Sequence, residues 1–210
     1  PYCACHWDMS RQSERSRWDE LIEADLHSIL GGIYGMRGDY PQCQHHFERC
    51  LRAREAADDL AGVAASHSNL GYLWQLQSEC ERAIEQYRVA EEIAQRINLR
   101  YALIFANLNM AWALVSLSRY AEAEARSRTA MALAQEINDQ RNYAQCCDIL
   151  GLIAARQGEY DAALARYDEE LALHRALGSA PEEGSTLVNK ANVLLMNEDF
   201  AGAQALLQLA

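Results

Sequence analysis

Apolar and polar positions along this chain follow a helical period that stops and restarts at a fixed step. In residues 65–98, ASHSNLGYLWQLQSECERAIEQYRVAEEIAQRIN, apolar or small residues fall at Leu70, Gly71, Leu73 and Trp74. Gln77-Ser78-Glu79 breaks the pattern, and Ala83, Ile84, Tyr87, Ala90 and Ile93 resume it at steps of three and four. Such spacing reads as helix, short turn, helix. The same unit recurs. Gly31, Gly71, Ala111, Gly151 and Ala191 stand 40 apart, as do Tyr40, Cys80, Tyr120, Tyr160 and Phe200, and again Cys43, Ala83, Ala123, Ala163 and Ala203. A fixed period in this range marks a stack of supersecondary units, none of which buries its apolar face alone. The small column lets the two helices of a hairpin approach, and the aromatic column closes the hairpin end. The predicted fold is all-α, a right-handed α-solenoid of antiparallel helix hairpins. Its five first helices are predicted near residues 24–37, 61–77, 101–117, 141–157 and 181–197.

The unit boundaries carry their own chemistry. Asp58, Asn98, Asn138 and Gly178 are 40 apart, and all tolerate the left-handed conformation that ends a helix. Asp59, Asp139 and Ser179 follow three of them as candidate N-caps, and Pro181 suits a first helical turn. Repeats are therefore assigned to residues 18–58, 59–98, 99–138, 139–178 and, incomplete, 179–210. Stepping back 40 from Cys43 and Phe47 reaches Cys3 and Trp7, so residues 1–17 read as the second helix of an incomplete upstream repeat. Neither end shows a polar cap, and the expectation is an array cut from a longer protein.

At these residues the chain resembles the tetratricopeptide repeat (TPR), which carries a Leu-Gly pair, an aromatic three later, a Gly before the turn, and an aromatic and Ala after it. The first repeat has Leu30-Gly31, Tyr34, Gly38, Tyr40, Cys43 and Phe47; the fourth has Leu150-Gly151, Gly158, Tyr160, Ala163 and Tyr167. The period is 40 rather than the usual 34, which is read as a longer second helix. Glu170 stands where a small residue is usual. The long form is similar to that of Pins/LGN-type polarity adaptors and of bacterial MalT/AfsR-type signalling proteins. The resemblance implies a TPR superhelix whose first helices line a concave, ligand-binding face.

Composition narrows the function. The 210 residues carry a net charge of −11, which disfavours a nucleic-acid phosphate partner. No apolar run approaches the ~18 residues of a membrane span, and residues 1–10 do not read as a signal peptide. Seven cysteines without a paired spacing are read as reduced thiols of a cytoplasmic protein. Lys190 is the only lysine beside eighteen arginines, an association with a GC-rich, bacterial genome. The glycines of residues 31–38 lack the Lys-Ser/Thr pair of a phosphate loop and are read as repeat positions, with Gly32 and Gly35 widening a groove. Cys43, His46 and Cys50 share a helix at metal-ligand steps, but two of them occupy core columns, so no metal and no cofactor are assigned. Cys3, Cys5 and His6 form a second, weaker cluster. No spacing joins a nucleophile to a base, so no catalytic residue is assigned and the chain is read as a non-enzyme.

By position, the resemblance places two columns on the concave face. Asn69, Asn109 and Asn189 precede the small column by two residues, and Tyr72, Trp112 and Asn192 follow it by one. Amides can bond a peptide backbone, and the aromatics can bury apolar side chains. Asn can equally bond neighbouring helices. Arg156 is placed near the same face. The basic residues of the family's carboxylate clamp are missing, with Phe105 and Asn109, or Gln145 and Ile149, in their places. The expected function is a non-catalytic scaffold for a protein or peptide, including an intramolecular one. The alternative is a sensor or autoinhibitory segment of a larger bacterial signal-transduction ATPase or transcription regulator.

Overall fold

A left-handed residue ends the helices at a step of 20, half the sequence period. The structure is a computed structural model that describes the backbone of residues 3–209 and the side chains of residues 17–209. Gly38, Asp58, Ser78, Asn98, Ser118, Asn138, Gly158, Gly178 and Glu198 all have φ between 52° and 82°. The residue after each donates its N–H to the carbonyl five back, as in Asp39 N to Tyr34 O (3.0 Å), Glu79 N to Trp74 O (2.8 Å) and Asp199 N to Leu194 O (2.8 Å). This is the Schellman closure, which satisfies carbonyls that the helix end would orphan. The boundary column at Asp58, Asn98, Asn138 and Gly178 is thus one half of a denser series. The other half, inside the hairpins, includes Ser78, Ser118 and Glu198, types that do not advertise a left-handed residue.

The elements follow from these stops. They are α1 (Cys3–Met36), α2 (Tyr40–Ala56), α3 (Leu60–Leu76), α4 (Cys80–Arg96), α5 (Arg100–Ser116), α6 (Tyr120–Glu136), α7 (Gln140–Gln157), α8 (Tyr160–Leu177), α9 (Ala180–Met196) and α10 (Phe200–Leu207). Among the described residues there is no strand, and no helix is long and apolar enough to cross a membrane. The second helices are not longer than the first: α3 and α4 have 17 residues each, and α7 and α8 have 18 each. The long period is shared equally by both helices of the hairpin.

Aspartates cap the starts. Asp39, Asp59, Asp139 and Asp199 accept from the N–H of Gln42 (3.2 Å), Gly62 (3.0 Å), Asn142 (3.1 Å) and Gly202 (2.9 Å). Ser179, expected among the caps, makes no such bond; α9 instead carries Glu182 and Glu183 in its first turn, where the helix dipole favours acid.

Helix α1 departs from the expected organisation. The reading of residues 1–17 as a separate second helix placed a stop before repeat 1, yet α1 runs unbroken from Cys3 to Met36. The position 40 before Asp58 is Trp18, a bulky residue disfavoured at positive φ, so nothing ends the helix there. Trp18, Ile22, Leu26 and Ile29 are all more than half exposed along it.

The chain forms two compact units, residues 1–106 and 107–210, divided within α5. Each is a stack of antiparallel hairpins in the α-solenoid manner. In the first, α1 packs on α2, α2 on α3 and α3 on α4, with α1 also touching α3; in the second, α6, α7, α8, α9 and α10 pack in chain order. The column Cys43, Ala83, Ala123, Ala163 and Ala203 is at most 1% exposed throughout.

Glycine and an aromatic ring interlock the hairpins of repeats 1, 2 and 4. A Cβ on Gly31 would lie 2.4 Å from Phe47, one on Gly71 2.5 Å from Tyr87, and one on Gly151 2.9 Å from Tyr167. Each ring is 16 residues after its glycine, and each is at most 5% exposed. In repeat 3 the same two positions hold Ala111 and Ser127, a larger residue opposite a smaller one. Gly71→Leu is expected to cost about 1–3 kcal/mol or more, because the ring of Tyr87 has no room to retreat. Gly71→Ala with Tyr87→Ser, which copies the repeat 3 pair, should cost less than the sum of the two single changes. Denaturant unfolding of the four variants measures both.

Candidate functional site

Two cavities gather most of the chemistry, one in each unit. The first, about 670 Å³, lies among α1, α2 and α3 and is lined by Gly31, Gly32, Gly35, Met36, Asn69, Tyr72 and Leu76, with Ser28 and Arg37 among its polar groups. Glycine makes it. A Cβ on Gly32 would meet nothing within 4 Å, and one on Gly35 would lie 3.3 Å from Cys43 Sγ. The extra glycines thus leave open space between neighbouring first helices. Tyr72 is 54% exposed, so its ring is available at the surface. Asn69 donates to Ser28 Oγ at 3.4 Å, across from α3 to α1.

The second cavity, about 310 Å³, lies in the other unit among α7, α8 and α9. Arg141, Gln145 and Asp148 come from α7, Glu170 and His174 from α8, and Glu182, Ser185 and Asn189 from α9. Glu170 is 6% exposed and His174 8%. Their side chains meet at 3.3 Å, His174 Nε2 to Glu170 Oε1, leaving Glu170 Oε2 and His174 Nδ1 buried without a hydrogen-bond partner. Burial, aided by the charge of Asp148 and opposed by the Thr186 hydroxyl, pushes the Glu170 carboxyl up to about 8. Burial likewise pushes Asp148 up to about 6, against the lowering effect of an amide bond from Asn189 at 3.1 Å.

The sequence-predicted site residues divide between these places. Asn69 and Tyr72 share the first cavity, and Asn189 lines the second. Asn109 and Trp112 lie half-buried on α5, while Asn192 and Arg156 are exposed on α9 and α7. Both Asn69 and Asn189 use their amide nitrogen to bond the preceding first helix, 41 residues back. Glu170 was visible in the sequence as a departure, but Asp148 and His174 were not singled out. The signal lay in their columns: Asp148 aligns with Ser28, Ser68, Leu108 and Val188, and His174 with Arg54, Ala94 and Ala134.

The described thiols have the neighbours of a packed core. Cys43 is buried against Gly35, Cys50 Sγ lies 3.4 Å from Ser66 Oγ, and His46 pairs with His27 at 2.8 Å and stacks on Tyr34. Cys43, Cys50, Cys80, Cys146 and Cys147 are all buried and free. Burial pushes the thiols of Cys43, Cys146 and Cys147 upward, Cys146 to about 12, away from the thiolate form that a nucleophile or ligand needs. Cys3, Cys5 and His6 lie outside the residues whose side chains are described.

Comparison with known proteins agrees with the geometry. Residues 23–96 match the tetratricopeptide repeat family model. The transcriptional activator NprA of Geobacillus stearothermophilus is 32% identical over 88 residues, which is 42% of this chain and 21% of that protein. The matched segment spans only about a fifth of that relative's length. Among solved structures, BtubC (BKLC) from P. vanneervenii superposes with a TM-score of 0.78 at 20% identity, covering 95% of this chain and 85% of its own. The Rap conjugation gene regulator of plasmid pLS20, in complex with the Phr* peptide, gives 0.76 at 18% identity, covering 90% of this chain and 52% of its own. Residues 23–96 thus carry the tetratricopeptide signature, and these solved structures share the fold of stacked helix hairpins.

Protonation of Glu170 links this cavity to stability. Its folded value lies above the ordinary 4.5, so the folded state holds a proton that the unfolded chain releases. The associated stability is fully present below the ordinary value and is lost as pH rises through about 8. Glu170→Gln removes that loss. Its melting temperature relative to the parent should rise between pH values of about 5 and about 8.5, as thermal unfolding in matched buffers will show.

Proposed function

We propose that this chain is a non-catalytic protein- or peptide-binding array that uses the face of its first helices. The observation that carries this reading is the glycine-floored cavity beside Asn69 and Tyr72. It offers room for an apolar side chain, an exposed ring to cover it, and amide and hydroxyl groups beside it to bond a backbone. The buried thiols and the absence of a nucleophile paired to a base in either cavity favour binding over catalysis. The complex of a Rap regulator with the Phr* peptide lends the reading support by likeness of fold. Asn109, Trp112, Asn192 and Arg156, with Asn189, are proposed as ligand contacts on the first helices of the second unit. The acidic balance favours a partner of basic character.

A second reading is supported by the NprA relative, a transcriptional activator. The array would then be the sensor segment of a larger regulator, with its partner held in the same chain. The two readings place the ligand on the same face and differ in whether the ligand is covalently linked.

Gly32→Leu should fill the first cavity without disturbing the helix, since no atom lies where its Cβ would go. Tyr72→Ala and Trp112→Ala remove aromatic anchors, whose truncation typically costs about 2 kcal/mol, or roughly 30-fold in affinity. Pull-down from the source cell with the parent and the three variants tests the assignment. Capture by the parent, weakened in the variants at unchanged helical content, is expected. Equal capture by all four would move the site off this face.

A further inference from the structure

The fourth repeat holds three departures from its own columns, and all three meet in one cavity. Cys50, Ala90 and Ala130 stand where Glu170 stands; Arg54, Ala94 and Ala134 stand where His174 stands; serine stands twice where Asp148 stands. A carboxyl at a buried alanine position is costly unless it gains partners. Glu170 meets His174 and the Thr186 hydroxyl, yet its Oε2 is left without a hydrogen-bond partner, as is His174 Nδ1. Both side chains are at least nine-tenths buried, and both line the open cavity.

We propose that the cavity of Asp148, Glu170 and His174 is a receptor for the cationic end of a basic side chain, arginine or lysine, on a chain docked along the first helices. That the occupant belongs to a docked chain rests on the binding function proposed above; the affinity of the cavity for a cation does not. The titratable groups that line the cavity with Glu170 set the chemistry. They are Arg141 and Asp148 from α7, His174 from α8, and Glu182 from α9. Three carboxyls face one guanidinium and one imidazole, and Gln145, Ser185 and the Asn189 carbonyl add acceptors. The site therefore wants positive charge delivered with N–H donors. Among the described residues no three His, Cys, Asp or Glu groups are arranged to hold a metal ion, which favours a distributed N–H donor over a metal. A volume of about 310 Å³ admits a side-chain end and excludes a folded partner.

Protonation gives an independent handle. Burial and Asp148 keep Glu170 protonated near neutrality, so a bound cation releases a proton to solvent, and affinity should rise as pH passes from about 6 to about 8.5.

The test is an NMR titration of the full chain with Nα-acetyl-arginine N-methylamide. Its neutral isostere, the citrulline derivative, and the free diamine putrescine serve as the other arms. Saturable shifts at α7, α8 and α9, at least about tenfold weaker for citrulline and weaker for putrescine, are expected. Glu170→Ala, which installs the residue of repeats 2 and 3, should weaken the arginine probe about tenfold or more. Asp148→Ser, the residue of repeats 1 and 2, is the second variant and should weaken it in the same direction. Equal binding of citrulline, preference for putrescine, indifference to both variants, or no binding of the arginine probe would each overturn the proposal. Tyr72→Ala lies in the other unit and should leave the probe's affinity unchanged. Loss of partner capture in Tyr72→Ala without probe binding would sink the receptor alone; probe binding with capture indifferent to Tyr72→Ala, Trp112→Ala and Gly32→Leu would sink the first-helix face alone.

Discussion

A left-handed residue every 20 positions is the constraint on which everything else here depends. An α-helix of this composition would run on, as α1 does past Trp18. Each positive-φ residue reverses the chain, and the Schellman bond behind it recovers a carbonyl that would otherwise go unpaired. The strain of placing Ser, Asp, Asn or Glu there, of the order of 1 kcal/mol each, is offset by what the reversal permits. Each reversal lays an amphipathic face against its neighbour, and the fully buried alanine column records that contact.

Interlock between glycine and ring then fixes how closely the helices approach. Gly71 and Tyr87 occupy the space that two ordinary side chains would contest. Where the ring is absent, at Ser127, the glycine becomes Ala111. The same glycine supply, used once more than the interlock requires, opens the first cavity at Gly32. Packing and open cavity therefore come from one residue type at neighbouring positions on α1.

Much of this was legible in the sequence, and what was missed has a physical cause. The 40-residue columns predicted the stacked hairpins and located the helices, because burial repeats faithfully at Ala83, Ala123 and Ala163. The equal division of the period was hidden, since Ser78, Ser118 and Glu198 adopt the left-handed conformation without the residue types that signal it. Residues 1–17 were misjudged as a separate helix because Cys3 and Trp7 match the helical columns while Trp18 fails the turn column. The Asn column was readable as polar groups on the first helices, but not its bonds to Ser28 and Asp148, which need a neighbour 41 residues away. Glu170 stood out as a departure. His174 and Asp148 did not, since a lone histidine or aspartate on a helix is unremarkable until three columns are compared at one repeat.

Because all nine reversals share one geometry, the backbone cannot tell a first helix from a second. Only the side chains do, and in repeats 1, 2 and 4 the glycine stands on the first helix and the ring on the second. This asymmetry sets the quantum in which such a chain can lengthen or shorten through recombination. Gain or loss of 40 residues keeps the small column facing the column that carries the rings. Gain or loss of 20 would leave the backbone equally regular but bring small face to small face at the junction, opening a void, or ring to ring, forcing a clash. The heritable module is thus the pair, although the geometric module is the single helix.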